Sequence, residues 1–235
     1  MNIIITGGSK GLGKAIAEQF AGDKQGHKIL LCARNEGQLQ KTWKELQGRF
    51  PRSDIKVLAC DVSKKDELAR MMNWINAEIE FVDILVNNAG QFVPGSVYNE
   101  PEGALEQMIE VNLYSAYHLT RMILPGMMKR KRGHIFNICS IAALKAYDNG
   151  GAYSISKFAL LGFSKNLREE MKPHFVKVTA VLPGAAYTDS WAASGINRER
   201  LMEAGDVAKM IYTTAFLSPQ ACVEEIIMRP ILGDL

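Results

Sequence analysis

The segment Tyr153-Ser154-Ile155-Ser156-Lys157 puts a phenol and an ammonium four residues apart. On a helix that spacing brings both side chains to one face. A free tyrosine, with a pKa of about 10, is a poor acid and a worse base at neutral pH. A cation within ~4–6 Å favours the phenolate and lowers that pKa. A tyrosine tuned in this way can give a proton to a carbonyl oxygen or take one from an alcohol. The same five residues would also make an ordinary exposed helix turn, so the surrounding elements have to decide.

Asn2 to Thr6 reads as a short buried strand, followed at once by Thr6-Gly7-Gly8-Ser9-Lys10-Gly11-Leu12-Gly13 and a helical pattern from Lys14. Strand, glycine-rich turn and helix start together make a phosphate site. Glycines admit a pyrophosphate close to the backbone, and the helix N-terminus offers free N–H groups. The second strand, Lys28 to Ala33, ends at Arg34. At that position an acidic residue suits the ribose 2′-hydroxyl of NAD and an arginine suits the 2′-phosphate of NADP. Arg34, with Lys10 nearby, points to NADP(H). Asn35 and Gln38 look like a capping box opening the next helix.

Further strands are expected at Ile55–Cys60, Asp83–Val86, Gly133–Cys139, Phe175–Leu182 and Cys222–Met228. Asp61-Val62 closes the third, and Ser63 with Asp66 resembles a helix start. Asn87-Asn88-Ala89-Gly90 follows the fourth. A long helix from Gly103 to Arg130 contains Asn112 and is expected to be interrupted by Pro125. Ser140 ends the fifth strand, and the helix of Tyr153 and Lys157 runs to about Lys172. Residues 188–205 read as a substrate loop or lid, and a last helix covers Asp206 to Leu217. Alternation without a composition break predicts a single doubly wound α/β domain over residues 1–235, of Rossmann type. Its sheet would be parallel and seven-stranded, with helices on both faces. Ligands bind such sheets at the carboxyl ends of the strands, where the glycine turn, Arg34, Asp61, Asn88, Ser140 and Pro183-Gly184 all fall.

The net charge of +3 is too mild to argue for nucleic acid. The run Lys129-Arg130-Lys131-Arg132 lies where the long helix should end, and cations there complement the helix dipole. Cys32, Cys60, Cys139 and Cys222 are scattered, and His27, His118, His134 and His174 form no metal-ligand spacing, so no metal is expected. Buried thiols suit a reducing, cytoplasmic compartment. No apolar run reaches ~18 residues, and the strand at Asn2 leaves no room for a signal peptide, so no membrane association is expected.

Thr6-Gly7 to Gly13, Asn87-Asn88-Ala89-Gly90, Asn112, Ser140, Tyr153, Lys157 and Pro183-Gly184 to Thr188 together resemble the short-chain dehydrogenase/reductase family over essentially the whole chain. Two stretches, 183–191 and 223–230, resemble bacterial sepiapterin reductases, and the second is also similar to family members that oxidise 3-hydroxy acids. The resemblance implies a catalytic set of Asn112, Ser140, Tyr153 and Lys157. Hydride would pass from NADPH to a ketone or diketone while Tyr153 protonates the alkoxide. Ser140 would hold the carbonyl oxygen, Lys157 would depress the tyrosine pKa and hold ribose hydroxyls, and Asn112 would position a water.

Cofactor contacts are expected from Gly7, Ser9, Lys10, Gly11, Leu12, Gly13, Arg34, Asp61, Val62, Asn88, Ala89, Gly90, Tyr153, Lys157, Pro183, Gly184 and Thr188. Phe92, Leu144, Tyr147, Tyr187 and Trp191 are candidates for the substrate pocket. Asp148, Asp189 or Asp234 could meet the amino edge of a pterin, and Lys145 or Arg198 could meet an anionic substrate. The alternatives are a dehydrogenase of 3-hydroxy acids and a non-catalytic nicotinamide-sensing protein. A small-molecule carbonyl or alcohol is the expected partner. The resemblance also implies a homodimer or homotetramer through the two long helices, those bearing Asn112 and Tyr153.

Overall fold

A computed structural model describes residues 1–188 and 195–235. The apolar run Asn2–Thr6 (β1) lies in the middle of a parallel seven-stranded sheet. On one side it pairs with Lys28–Ala33 (β2), which pairs with Asp54–Ala59 (β3). On the other side come Ile84–Asn87 (β4), Gly133–Ile138 (β5), Val176–Pro183 (β6) and Glu225–Met228 (β9). The order β3-β2-β1-β4-β5-β6-β9 reverses direction between β1 and β4. A crevice opens at such a reversal, outside the carboxyl ends of the strands.

Successive side chains of a strand point to opposite faces, and β1 is apolar on both. Ile3 and Ile5 join a core with Ile16 and Phe20 of α1 (Gly11–Gly22), Leu39 and Leu46 of α2 (Glu36–Arg49), and Val207 and Ile211 of α7 (Ala204–Ala215). Ile4 joins the opposite core with Leu68 and Met71 of α3 (Lys65–Glu78), Leu119 and Ile123 of α5 (Ser115–Arg130), and Leu167 of α6 (Gly151–Met171). Burial on both faces explains why the strands read as continuous apolar runs. Among the described residues no helix is long and apolar enough to cross a membrane.

Local departures from the sequence expectation have physical causes. The long helix is not continuous: α4 (Ala104–Ile109) passes into a π-helical turn at Glu110–Tyr114 before α5 begins. Asn112 lies in that turn with its amide directed inward. Pro125 does not interrupt α5, which runs on to Arg130 and ends with Lys131 in the left-handed conformation. Arg130 does not extend into solvent: it folds back to the carbonyl of Val82, Asp83 and the Phe81 ring. Ser63 does not cap α3, because its hydroxyl donates to Asp61 Oδ1 at 2.7 Å. Described residues within the expected 188–205 loop form regular structure. Met202–Glu203 (β8) pairs in parallel with Ala186–Tyr187 (β7), and Arg198–Arg200 forms a 3₁₀ turn.

Candidate active site

The glycine turn is built by close packing. A Cβ on Gly13 would collide with the Gly7 carbonyl oxygen and the Asn88 amide nitrogen, so only glycine fits. Lys10 precedes α1 in an extended conformation and its side chain does not cap the helix. First-turn N–H groups have no partner within a helix, and an anion suits that position. Thr6 ties the turn to β4: its Oγ1 accepts from the backbone N–H of Asn88 at 3.0 Å and of Ala89 at 2.9 Å. Asn88 Nδ2 donates back to the Thr6 carbonyl at 2.8 Å and to that of Gly7 at 3.1 Å. From the other side, Asn35 caps α2 by accepting from Gln38 N at 2.8 Å. The Gln38 side chain does not complete the box but donates to the Ser9 carbonyl, as does Thr42 at 2.6 Å. Helix α2 therefore anchors the turn it faces.

A cavity of about 780 Å³ runs along the carboxyl edge of the sheet. Ser9, Lys10, Gly11, Leu12, Arg34, Asp61 and Val62 line it over β1–β3, with Arg34 exposed at the mouth. Gly7, Asn88, Ala89 and Gly90 line its middle. Ser140, Tyr153, Lys157, Pro183, Gly184 and Thr188 line its far end. Gly13 lies beneath the turn, off the wall.

Ser140 and Tyr153 meet because α6 is pinned to the turn after β5. Ser154 Oγ donates to the Ala142 carbonyl at 2.8 Å, and Ser140 Oγ accepts from Ala142 N at 3.1 Å. A hydrogen bond with Ser140 favours the Tyr153 phenolate, yet burial outweighs it and raises the tyrosine pKa. The expected depression by Lys157 is not what this arrangement gives. Lys157 is itself buried, its pKa is lowered to about 8, and Nζ donates to the Ile138 carbonyl at 2.8 Å.

Asn112, 1% exposed, sits on the inner face as expected and holds two elements at once. It accepts from Gln91 N at 2.8 Å, and its Nδ2 donates to the Gln91 carbonyl at 3.0 Å and to Ser156 Oγ at 2.9 Å. Ser156 donates in turn to the Tyr153 carbonyl at 2.7 Å. The π turn is what brings this amide across to both partners, a common use of such turns at functional sites.

Phe92 presses against the Tyr153 ring edge-on, with centroids 4.8 Å apart at 75°. Tyr147 is on the wall too, its hydroxyl pushed up to about 12 by burial and by Tyr153. Leu144 is exposed and off the wall. Tyr187 is off it as well: in β7 its neighbours Ala186 and Thr188 line the cavity, so strand alternation turns Tyr187 away, under the Arg198 guanidinium at 4.6 Å. Trp191 and Asp189 lie outside the described residues. Asp148, Asp234 and Lys145 are on the wall; Arg198 pairs with Glu203 instead. Arg229, paired with Asp234 at 3.1 Å, lines the cavity together with Leu235 and was not among the expected residues. The rule that sites gather at strand carboxyl ends finds it when applied to β9, which ends one residue earlier.

A family model described as short chain dehydrogenase matches residues 1–199. A sepiapterin reductase of Chlorobaculum tepidum is 31% identical over 99% of this chain and 97% of its own length. Among solved structures, a metagenomic short-chain oxidoreductase in complex with NADP is 31% identical, with a TM-score of 0.84 over 99% of this chain and 98% of its own. The closed form of a serine dehydrogenase complexed with NADP+ is 28% identical, with a TM-score of 0.90 over 100% of this chain and 97% of its own. The chain belongs to the short-chain dehydrogenase/reductase family of oxidoreductases.

Proposed function

We propose that this protein is an NADP(H)-dependent reductase of ketone or vicinal diketone carbonyls, with residues 1–235 acting as one cofactor-binding domain. The observation that carries the reading is the meeting of the Ser140 and Tyr153 hydroxyls beside the buried Lys157 at the end of a long cavity. The residues present suit the dinucleotide: the Gly7–Gly13 cradle that a Cβ would fill, and the Arg34 guanidinium, a fixed cation for a 2′-phosphate. When bound, the cofactor supplies or accepts the hydride. Ser140 then holds the carbonyl oxygen where charge develops. Tyr153 gives its phenolic proton to that oxygen, completing the alcohol. Lys157, brought by burial to about 8, is able to return a proton at neutral pH. Asn112 keeps the Gln91 backbone and the start of α6 in register, and the family resemblance adds a water on the proton path.

The aromatic side chains of Phe92 and Tyr147 on the wall, with the carboxylate of Asp148, suit a flat heterocyclic substrate such as a pterin, in keeping with the sepiapterin reductase relative. A second reading, oxidation of 3-hydroxy acids, is favoured by Lys145, a cation on the wall. Exposed Ile155 and Phe158 on α6, with exposed Tyr114 on the π turn and Met122 on α5, support a homo-oligomer through these helices. Light scattering at the 26.0 kDa monomer mass would contradict that. The four free thiols suit a cytoplasmic setting. The test of function is NADPH and NADH consumption against sepiapterin, simple vicinal diketones and a 3-oxo acid. Turnover with NADPH is the expected result; tight NADPH binding with no turnover on a broadened panel would overturn the reductase reading.

A further inference from the structure

We propose that Glu100 is a positioning residue for Tyr153: its carboxylate fastens the segment 91–102 to the first turn of α6, holding the Phe92 wall and the tyrosine in one geometry. The proposal rests on the reading of Tyr153 as proton donor.

Glu100 Oε1 accepts from the backbone N–H of Ala152, the residue before Tyr153, at 2.7 Å. That N–H is one of the first-turn donors left without an intrahelical partner. Gly150, which precedes the helix, has no side chain to cap it. A carboxylate there forms a charge-assisted bond and complements the helix dipole. The surrounding sequence leaves room for it. Gly151 has φ +28°, and a Cβ there would collide with Glu100 Oε1. A Cβ on Gly95 would come within 2.7 Å of Glu100 Cγ.

The same segment is held to the approach of α6 at two more points. Gly95 N donates to the Asn149 carbonyl at 3.1 Å, and Ser96 Oγ donates to Asn149 Oδ1 at 3.2 Å. Its other end is gripped by Asn112 through both backbone groups of Gln91. Phe92, next to that grip, meets the Tyr153 ring. Asn112 and Glu100 thus fasten opposite ends of a segment that touches the tyrosine. Releasing one end lets the wall and the first turn of α6 move independently, and a displacement of about 1 Å in an active site can cost ~100-fold in rate.

The test compares wild type, Glu100→Ala and Glu100→Gln by amide hydrogen exchange of the cofactor-free protein, by NADPH titration and by steady-state kinetics. In Glu100→Ala, exchange should accelerate at least ten-fold in 91–102 and 150–157 and nowhere else. NADPH affinity should stay within two-fold and kcat should fall at least ten-fold. Glu100→Gln, whose amide oxygen can still accept from Ala152 N, should recover most of both. Unchanged exchange, or acceleration spread over the whole chain, overturns the fastening. Local acceleration with kcat within two-fold of wild type overturns the positioning role. Local acceleration in a protein whose wild type turns over no carbonyl overturns the reading of Tyr153 instead, and is recognised as such because the exchange result stands without activity.

Discussion

Lys157 gives its ammonium hydrogen bond to the Ile138 carbonyl, and its nitrogen stands 5.8 Å from the centre of the Tyr153 ring. Burial acts on both groups toward their neutral forms, lowering the lysine and raising the tyrosine. The spacing that puts them on one helix face therefore creates a pair on which the same apolar surroundings act oppositely, holding the tyrosine proton more tightly and the lysine proton less tightly.

A stability measurement isolates the lysine. Its folded pKa of about 8 lies below its ordinary value of 10.5, so between those values the unfolded chain binds more protons. Stability then rises with pH across that window. The penalty carried below pH 8 is on the order of 3 kcal/mol. Lys157→Met should therefore be favoured over wild type most at pH 7, with the difference shrinking by about that amount toward pH 10.5. Urea unfolding of the cofactor-free proteins at several pH values measures it. A constant difference would mean that Lys157 titrates as an exposed lysine does.

His134 governs the acid side. Thr179 Oγ1 gives its one proton to the Val223 carbonyl at 2.6 Å, so the 2.8 Å bond to His134 must be donated by Nε2. Nδ1 is left as a buried lone pair without a partner among the described residues, and burial pushes the pKa down from 6.5 to about 3. The unfolded chain binds the extra proton between those values, so stability is lost as pH falls through the window. His134→Gln should flatten that decline by up to ~1.4 kcal/mol per pH unit. Parallel acid limbs for the two proteins would contradict the neutral assignment.

Arg34 should decide between the two nicotinamide cofactors. A hydrogen bond to a charged group contributes about 1.5–3 kcal/mol. Arg34→Ala should then weaken NADPH binding roughly 10- to 100-fold and leave NADH nearly unchanged. Equal losses for both, in a fluorescence titration, would remove Arg34 from the 2′-phosphate site.

Much of this site was legible because it depends on short-range patterns. Glycines after β1, the arginine ending β2 and Ser140 ending β5 each sit one step beyond an apolar run, and a parallel sheet brings all such ends to one edge. What the sequence hid depends on distant contacts. Asn112 was visible as an inward amide, but its grip on Gln91 needs a π turn that helical periodicity does not announce. Tyr187 looked equal to Tyr147 until pairing with β8 fixed which side of β7 faces the cavity. Arg229 entered the wall because the chain turns back after β9 far from the other site residues in sequence. The direction of the Tyr153 shift depended on burial, which competes with the lysine and is not readable from a spacing of four.

In the proposed function, Tyr153 supplies the proton when a carbonyl is reduced. The most direct measurement is NADPH absorbance during turnover of the best carbonyl substrate by wild type and Tyr153→Phe, with NADPH affinity determined for both. Loss of the phenolic proton should lower kcat by at least roughly 10²–10⁴-fold, while NADPH binds the variant within a few-fold of wild type. A variant that binds NADPH equally well and keeps more than a tenth of the wild-type rate would contradict the account.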